Sequence, residues 1–185
     1  MNERFKTRIC WKALIAGLLL SLCGSRLAGA QAVSEDQVKA AYLYSFAKFV
    51  EWPAGSFAGP SDPIRLCILN SRSFQAQLNK IAGNKQIAGH PVLVILVQDA
   101  KQARGCHELF IDSSQSQATL QIIDALRGTS VLTVGDAGSF VEQGGIINFI
   151  VQNDHVQFQV NQKAALQAGL RMNSQLLSVA RRVFK

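Results

Sequence analysis

The residues of this 185-residue sequence that are suited to chemistry are few, and two cysteines stand first among them. Cys106 is followed directly by His107, and cysteine with histidine serves both as a thiolate nucleophile and in metal sites. We expect neither role, because neighbouring residues of a strand point to opposite faces and no C-x-x-C pattern is present. Cys67 is then the candidate partner of Cys106. His90, His107 and His155 are predicted to have structural roles.

A second candidate site is the segment Gly135-Asp136-Ala137-Gly138, which follows a predicted strand. Ligands of open α/β sheets bind where strands end, so Asp136 is a candidate contact for a small polar ligand. Gly135, Asp136 and Gly138 are equally typical of a plain turn. The motifs of serine hydrolases, P-loop enzymes, zinc proteases and dinucleotide-binding enzymes do not occur. The sequence therefore predicts a protein that is not an enzyme, with no metal and no cofactor.

Residues 1–30 have the pattern of a secretory signal peptide. Four positive charges within residues 1–12 precede the apolar run Ala13–Cys23, and Ala28-Gly29-Ala30 ends the segment with small residues. A membrane-spanning helix needs about 20 apolar residues, and this run is shorter. We expect cleavage after Ala30, export of residues 31–185 as a single domain, and no insertion of that domain into the membrane.

The charge and the cysteine count both depend on this leader. Residues 1–30 hold five of the 19 basic and one of the 12 acidic residues, so +4 of the formal charge of +7 lies there. A nucleic-acid partner is therefore not expected. Cys10 and Cys23 also lie in the leader, which leaves Cys67 and Cys106. An even pair in an exported protein is typically bridged, and the alternative is two buried, unpaired thiols that pack as small apolar groups.

The hydropathy pattern predicts one helix followed by alternating strands and helices. Ser34 and Gln37 form a capping box, and the first helix ends near Trp52-Pro53, because proline disfavours a helical residue before it. Strands are predicted at 64–69, within 86–97, and at 106–111, 131–134, 146–151 and 156–160. Further helices are predicted at 73–81 and 114–126, after Asn161, and from Asn173 through Phe184.

This order predicts an α/β fold, a single-domain sandwich with a mixed, mainly parallel sheet flanked by helices. Asn153-Asp154 is typical of a hairpin turn, so an antiparallel hairpin is expected near the C-terminus. In a doubly wound sheet the first and third strands are commonly neighbours. That arrangement would bring Cys67 and Cys106 within bridging distance.

Several segments of the chain resemble the YfiR-like family of exported bacterial proteins. The most specific are KAAYLYSFAKFVEWP at 39–53 and FQVN followed by AGLRMNSQLLSVA within 158–180; the others are 64–69, 105–111, 131–136 and 144–149. The resemblance implies a periplasmic α/β protein that forms homodimers. It further implies that the protein represses an inner-membrane diguanylate cyclase by binding the periplasmic sensor domain of that enzyme, which lowers cyclic di-GMP and disfavours biofilm formation.

The resemblance also bears on individual residues. The first two cysteines of the family match Cys67 and Cys106, whereas a second pair found in some members has no counterpart within Gly135–Phe149. Gln159 stands where the family has an acidic residue. Candidate partner contacts are Tyr44, which lies off the apolar stripe of the first helix, together with Gln159, Lys163 and Arg171. For the two basic residues a solvated surface is the alternative.

Two functions are therefore predicted from the sequence. The first is a non-catalytic periplasmic regulator that binds the sensor domain of a membrane diguanylate cyclase. The second is a periplasmic small-ligand-binding or sensory protein, with Gly135–Gly138 as the ligand loop. The two functions are compatible with each other.

Overall fold

The computed structural model describes residues 33–185, and the predicted leader lies outside the described residues. The predicted capping box is present at the start of the first helix. Ser34 Oγ accepts a hydrogen bond from the backbone N–H of Gln37, and the Gln37 side chain accepts one from the backbone N–H of Ser34. The helix ends at Phe49, three positions before Trp52, where the chain becomes extended.

The described residues contain six α-helices and ten strands. The helices are α1 (Glu35–Phe49), α2 (Arg72–Ala82), α3 (Ala100–Ala103), α4 (Thr119–Ala125), α5 (Gln162–Gln167) and α6 (Ser174–Val179). The strands are β1 (Val50–Glu51), β2 (Ile64–Leu69), β3 (Gln86–Ile87), β4 (His90–Val97), β5 (Glu108–Ile111), β6 (Leu132–Gly135), β7 (Ile147–Gln152), β8 (His155–Asn161), β9 (Arg171–Met172) and β10 (Arg182–Phe184).

Eight of the strands form the central sheet, in the order β10-β8-β7-β6-β5-β2-β4-β3. The pairs from β4 through β2, β5 and β6 to β7 are parallel, and β7 and β8 form the antiparallel hairpin that the sequence predicts. β1 and β9 form a separate antiparallel ribbon. The prediction of an α/β fold with a mixed, mostly parallel sheet is thus confirmed.

Helices cover both faces of this sheet. One face packs against α1 and α2. In its core the ring of Phe46 stacks on that of Phe149 and the ring of Phe74 stacks on that of Phe110, while Phe110 meets Phe149 edge-on. The other face packs against α3 and α4 around Leu109. Successive side chains of a strand point to opposite faces, so each central strand supplies both layers, which explains the near-continuous apolar sequence of β2.

The structure differs from the prediction near the C-terminus. The helix predicted from Asn173 through Phe184 ends at Val179, and residues 182–184 form β10, parallel to β8. The backbone N–H of Arg181 donates to the carbonyl of Phe158. Residues 182–184 therefore pair with the sheet, although their local sequence pattern favours a helix. The helix predicted at 114–126 begins at Thr119, because Asp112 caps a separate short 3-10 helix before it.

Candidate functional site

The disulfide between Cys67 and Cys106 is present in the structure. β2 and β5 are neighbours, with Cys67 opposite Leu109, and Cys106 lies two positions before β5. The two Cα atoms are 6.0 Å apart, which is ordinary disulfide geometry. Both cysteines are buried. The bond therefore fastens the central strand β2 to the segment that leads into β5, and the alternative of two unpaired thiols is wrong.

A stack of three rings lies next to this bond. The Phe57 ring is stacked between His90 and His107, with centroid distances of 4.0 Å and 4.4 Å. Trp52 packs edge-on against His107, and its indole N–H donates to the His107 carbonyl at 3.2 Å. The stack holds the loop between β1 and β2 against the strands of the sheet.

Both ring nitrogens of His107 have partners. Nδ1 accepts a hydrogen bond from the backbone N–H of Arg65 at 3.0 Å, and Nε2 lies 3.1 Å from the carbonyl oxygen of Ser56. A neutral ring with its proton on Nε2 satisfies both contacts. Burial lowers the pKa of His107, the hydrogen bond to Ser56 opposes that effect, and the charge of Arg65 adds to it. The structural role predicted for His107 fits these contacts.

Asp136 lies at the carboxyl end of β6, as the sequence predicts. Its Oδ2 atom is 2.5 Å from the ammonium group of Lys39, which also contacts Glu35 at 2.6 Å. Burial disfavours the ammonium group of Lys39, but the hydrogen bonds to Asp136 and Glu35 outweigh burial and raise its pKa above 10.5. The Asp136 carboxylate therefore ties α1 to the end of β6.

The two glycines beside Asp136 have different surroundings. A Cβ atom at Gly135 would lie 2.4 Å from the ring of Phe140, so glycine is required for that ring to pack on the strand. Gly138 is exposed and has open space around its Cα. Packing and an ion pair thus account for Gly135 and Asp136, and the ligand role of Gly135, Asp136 and Gly138 stays a prediction.

Tyr44, the first candidate partner contact, is half-buried on α1. Two ammonium groups lie over its ring, that of Lys48 at 4.1 Å from the centroid and that of Lys85 at 4.9 Å. The face of the ring is electron-rich, so these contacts are attractive. Tyr44 thus belongs to a basic patch between α1 and the start of β3.

The other three candidate contacts lie in the C-terminal part of the chain. Gln159 is half-buried on β8, in register with Asn148 of β7 and Arg182 of β10. Lys163 is exposed on α5, and Arg171 is exposed on β9 opposite Glu51. Residues 155–185 contain no acidic residue, and their five basic residues are all exposed: Lys163, Arg171, Arg181, Arg182 and Lys185. We call these five residues the basic C-terminal surface.

Residues 33–185 were considered for metal-binding groups and for membrane-spanning helices because either would bear on function. In that part of the chain, no group of three or more His, Cys, Asp or Glu side chains is placed to hold a metal ion. Within the same residues, no helix has both the length and the apolar character that crossing a bilayer requires.

The family model described as YfiR/HmsC-like matches residues 36–181. The chain belongs to the YfiR/HmsC-like family. At the level of the family, this supports a periplasmic regulator of a diguanylate cyclase, and a regulator rather than a catalyst.

Solved structures similar to this YfiR/HmsC-like protein share its fold at low identity. One is a conserved domain protein from Vibrio cholerae O1 biovar eltor, with 13% identity and a TM-score of 0.50 over 65% of this chain and 54% of that one. Another is the ABC domain in complex with L-Trp from Streptococcus pneumonia, also with 13% identity and a TM-score of 0.50, over 78% and 60% of the two chains. The match thus spans between half and two thirds of each of those proteins.

A cavity of about 370 Å³ in this YfiR/HmsC-like protein adjoins the disulfide. Cys106, His107, Arg65 and Arg104 line it, and no acidic residue does. The guanidinium group of Arg104 donates to the carbonyl of Ala125 at 2.7 Å. Neither arginine is predicted as a site residue from the sequence. The one sequence feature that they share is their position, two residues before Cys67 and two residues before Cys106. That feature indicates a common site only once the two cysteines are known to be paired.

Glu108 was also missed, although it follows His107 directly. The residue is 1% exposed at the start of β5, and within the described residues its carboxyl oxygens have no hydrogen-bond partner. Burial raises the pKa of Glu108 well above 4.5, so folding favours the uncharged form of this carboxyl group. The sequence feature that could have indicated this site is an acidic residue at the start of an apolar strand. Whether that residue is buried depends on tertiary packing, which the local sequence does not show.

Proposed function

We propose that residues 31–185 form a non-catalytic periplasmic regulator that binds the periplasmic sensor domain of an inner-membrane diguanylate cyclase. Binding represses the cyclase, which lowers cyclic di-GMP and disfavours biofilm formation. Membership of the YfiR/HmsC-like family is the observation that carries this proposal. The disulfide and the signal-peptide pattern of residues 1–30 support export to an oxidising compartment, where the leader is cleaved.

Repression of this kind is a shift between two states of the cyclase. The regulator changes their populations by no more than its differential affinity for the two states. The folded chain is the binding-competent form, so the Cys67–Cys106 bond governs repression through the amount of folded protein. The basic C-terminal surface favours an acidic surface on the sensor domain, because opposite charges speed encounter and fix orientation.

Deletion of the gene tests the proposal in cells that contain the cognate cyclase. We expect cyclic di-GMP and surface attachment to rise, and complementation with the full chain to reverse both. A chain lacking residues 1–30 should fail to complement, because it stays in the cytosol. Unchanged cyclic di-GMP on deletion would contradict the regulatory role, and full complementation by the leaderless chain would contradict the periplasmic site of action.

Capture from solubilised membranes identifies the partner and tests the surface. Mature protein serves as bait, and we expect it to retain a diguanylate cyclase. The variant Lys163→Glu/Arg182→Glu reverses charge on the basic C-terminal surface and should retain less cyclase, whereas Lys101→Glu reverses an exposed charge on α3 and should retain as much as the parent. Equal losses from both variants would contradict the proposed surface.

Binding of a small ligand is the second candidate function. The cavity of about 370 Å³ beside the disulfide is large enough for a metabolite, and its two arginines favour an anionic one. A thermal-shift screen of anionic metabolites against the mature protein tests this. A rise in melting temperature that Arg104→Ala abolishes would support the ligand role, and no rise with any compound would contradict it.

A further inference from the structure

A cleft of about 450 Å³ lies on the disulfide side of β4. Residues 98–107, which include α3, connect the carboxyl end of β4 to the amino end of β5. Because β4, β2 and β5 are parallel, this connection crosses the sheet, and it forms one wall of the cleft. The residues that line the cleft are Arg65, Ile95, Leu96, Val97, Gln102, Gly105 and Cys106. We call it the aliphatic cleft.

The floor of the aliphatic cleft is apolar. Ile95 is in register with Cys67 of β2, and Val97 with Leu69, so these four side chains lie on the face of the sheet that carries the disulfide. Val97 is buried there, whereas Ile95 is only half-buried. Leu93, the next side chain on that face, is 47% exposed, an unusual exposure for a leucine in a parallel sheet. Two aliphatic side chains are thus partly open to water beside the cleft.

Arg65 is the only charged residue among the described residues that line the cleft. It is in register with Leu93, so it marks that end of the apolar stripe. Its Nη1 atom is 3.5 Å from the carbonyl oxygen of Gly105, which is a long hydrogen bond. Within residues 33–185, no carboxylate forms a salt bridge with this guanidinium group. A guanidinium has N–H donors in a planar fork that fits a carboxylate, so Arg65 can bind one.

We propose that the aliphatic cleft binds a medium-chain fatty acid. The carboxylate pairs with the guanidinium group of Arg65, and the alkyl chain lies along Leu93, Ile95 and Val97. The strand rises about 13 Å from Leu93 to Val97, at about 3.3 Å per residue. With carbon–carbon bonds of about 1.5 Å, an extended chain of about ten carbons covers that distance.

The lining of the cleft disfavours other classes of ligand. A sugar or a nucleotide needs several hydrogen-bonding side chains, whereas the described lining offers Gln102 alone beside Arg65. No aromatic ring among the described residues lines the cleft for a flat ligand to stack on. An inorganic anion would pair with Arg65 but leave the apolar stripe in water. A fatty acid satisfies the charge and covers the stripe, since burial of apolar area is favourable.

The dependence of binding on chain length tests the proposal. Decanoate is titrated into the mature protein by isothermal calorimetry, below the concentration at which it forms micelles. Octanoate should bind about fourfold more weakly, because it lacks two methylenes and one side of the chain stays in water. Acetate, which is the headgroup alone, should show no saturable binding. A lack of saturable binding by decanoate would overturn the proposal, and so would equal affinities for acetate and decanoate.

Two variants, each with a matched control, locate the bound acid. Leu93→Asp and Arg65→Gln should each weaken decanoate binding by about tenfold or more in Kd. Leu120→Asp is the control for the first variant, because Leu120 is 49% exposed on α4. Arg104→Gln is the control for the second, because Arg104 lines the cavity of about 370 Å³ but not the aliphatic cleft. Both controls should keep the parent Kd, and loss of binding in Arg104→Gln but not in Leu93→Asp would overturn the proposal.

Amide resonances of the parent protein give the same answer without a variant. The amides of Ile95 and Val97 should shift as decanoate is added, and shifts confined to residues outside the cleft would overturn the proposal. Vesicles of phosphatidylglycerol offer acyl chains without a free carboxylate, and we expect no co-sedimentation with them. Co-sedimentation that Leu93→Asp abolishes would contradict a free fatty acid as the ligand. No cyclase takes part in these measurements, so their failure leaves the proposed regulation standing.

Discussion

Lys39 and Asp136 are 97 positions apart in the sequence, and the ammonium nitrogen of one lies 2.5 Å from a carboxylate oxygen of the other. Lys39 belongs to α1, whereas Asp136 directly follows the last residue of β6. Lys39 is 5% exposed, so water does not readily take the place of Asp136 beside its ammonium group. The pair fixes α1 to the centre of the sheet. The predicted ligand loop, Gly135–Gly138, therefore also has a structural role through Asp136.

Removal of one partner should therefore be costly. Lys39→Met leaves the Asp136 carboxylate without its cation, and breaking a buried pair in this way typically costs about 3–5 kcal/mol. We expect a loss of about 3 kcal/mol in the free energy of unfolding, measured in urea, because Asp136 keeps some contact with water. Lys80→Met, at an exposed site on α2, is the control and should change stability by less than about 0.5 kcal/mol. Equal effects of the two variants would refute a structural role for the pair.

Loss of the disulfide should destabilise the fold. The bond closes a loop of 39 residues, for which the chain-entropy model gives about 4 kcal/mol. The variant Cys67→Ala/Cys106→Ala should unfold at correspondingly lower urea concentration. The parent protein treated with a reductant should approach the same midpoint, while the variant should not respond to reductant. A variant as stable as the oxidised parent would show that the bond does not set the amount of folded protein.

Because the pKa of His107 is lowered in the folded protein, we expect this residue to reduce stability in mild acid. Its folded pKa lies below the ordinary 6.5, so below about pH 7 the unfolded chain binds more protons than the folded one. The contribution of His107 to the free energy of unfolding should be greatest above that pH and should fall as pH drops from 7.5 to 5.5. His107→Gln should be less stable at pH 7.5 but should show a shallower dependence. His155→Gln, at an exposed site in the hairpin, should keep the slope of the parent, and an unaltered slope in His107→Gln would contradict the assignment.

Glu108 predicts the opposite dependence on pH. Its folded pKa lies above 4.5, so its protonated form is favoured by folding, and this contribution is lost as pH rises above 4.5 toward the raised pKa. Glu108→Gln should therefore unfold at a higher temperature than the parent at pH 7.5, and the difference should shrink at pH 4.5. Glu142→Gln, at an exposed position, should show no such gain. A Gln variant less stable than the parent at pH 7.5 would mean that the carboxylate has a partner.

Local sequence was sufficient for much of the fold. Ser34 and Gln37 mark the start of α1 because a capping box depends only on residues three apart. The bounds of β2 agree with the prediction because Ile64–Leu69 is a short apolar run between a proline-rich loop and Asn70. The pairing of Cys67 with Cys106 followed from the expected strand order, a property of α/β topology.

The remainder depends on contacts between distant residues. β10 has only three residues, and the spacing of Leu176, Leu177 and Ala180 continues a helical pattern into it. The helix ends because the chain turns into the sheet there, with a bond from the Arg181 N–H to the Phe158 carbonyl followed by the pairing of β10 with β8. The partner of Lys39 and the burial of Glu108 have no local signal either, because each arises when α1 or β5 meets the rest of the sheet. Local sequence patterns indicate which face of a helix or strand is buried and where the element ends. The Lys39–Asp136 pair and the burial of Glu108 depend instead on contacts between elements that are distant in the sequence.

Inhibition of the cyclase is the most direct test of the proposed function. The cyclase recovered by capture is solubilised, and its rate of cyclic di-GMP synthesis is followed while mature protein is added. The rate should fall and saturate at the concentration that also saturates binding, and the Cys67→Ala/Cys106→Ala variant should inhibit in proportion to its folded fraction. A rate that stays constant while the two proteins are bound would contradict repression, and consumption of GTP or cyclic di-GMP by the mature protein alone would contradict a non-catalytic regulator.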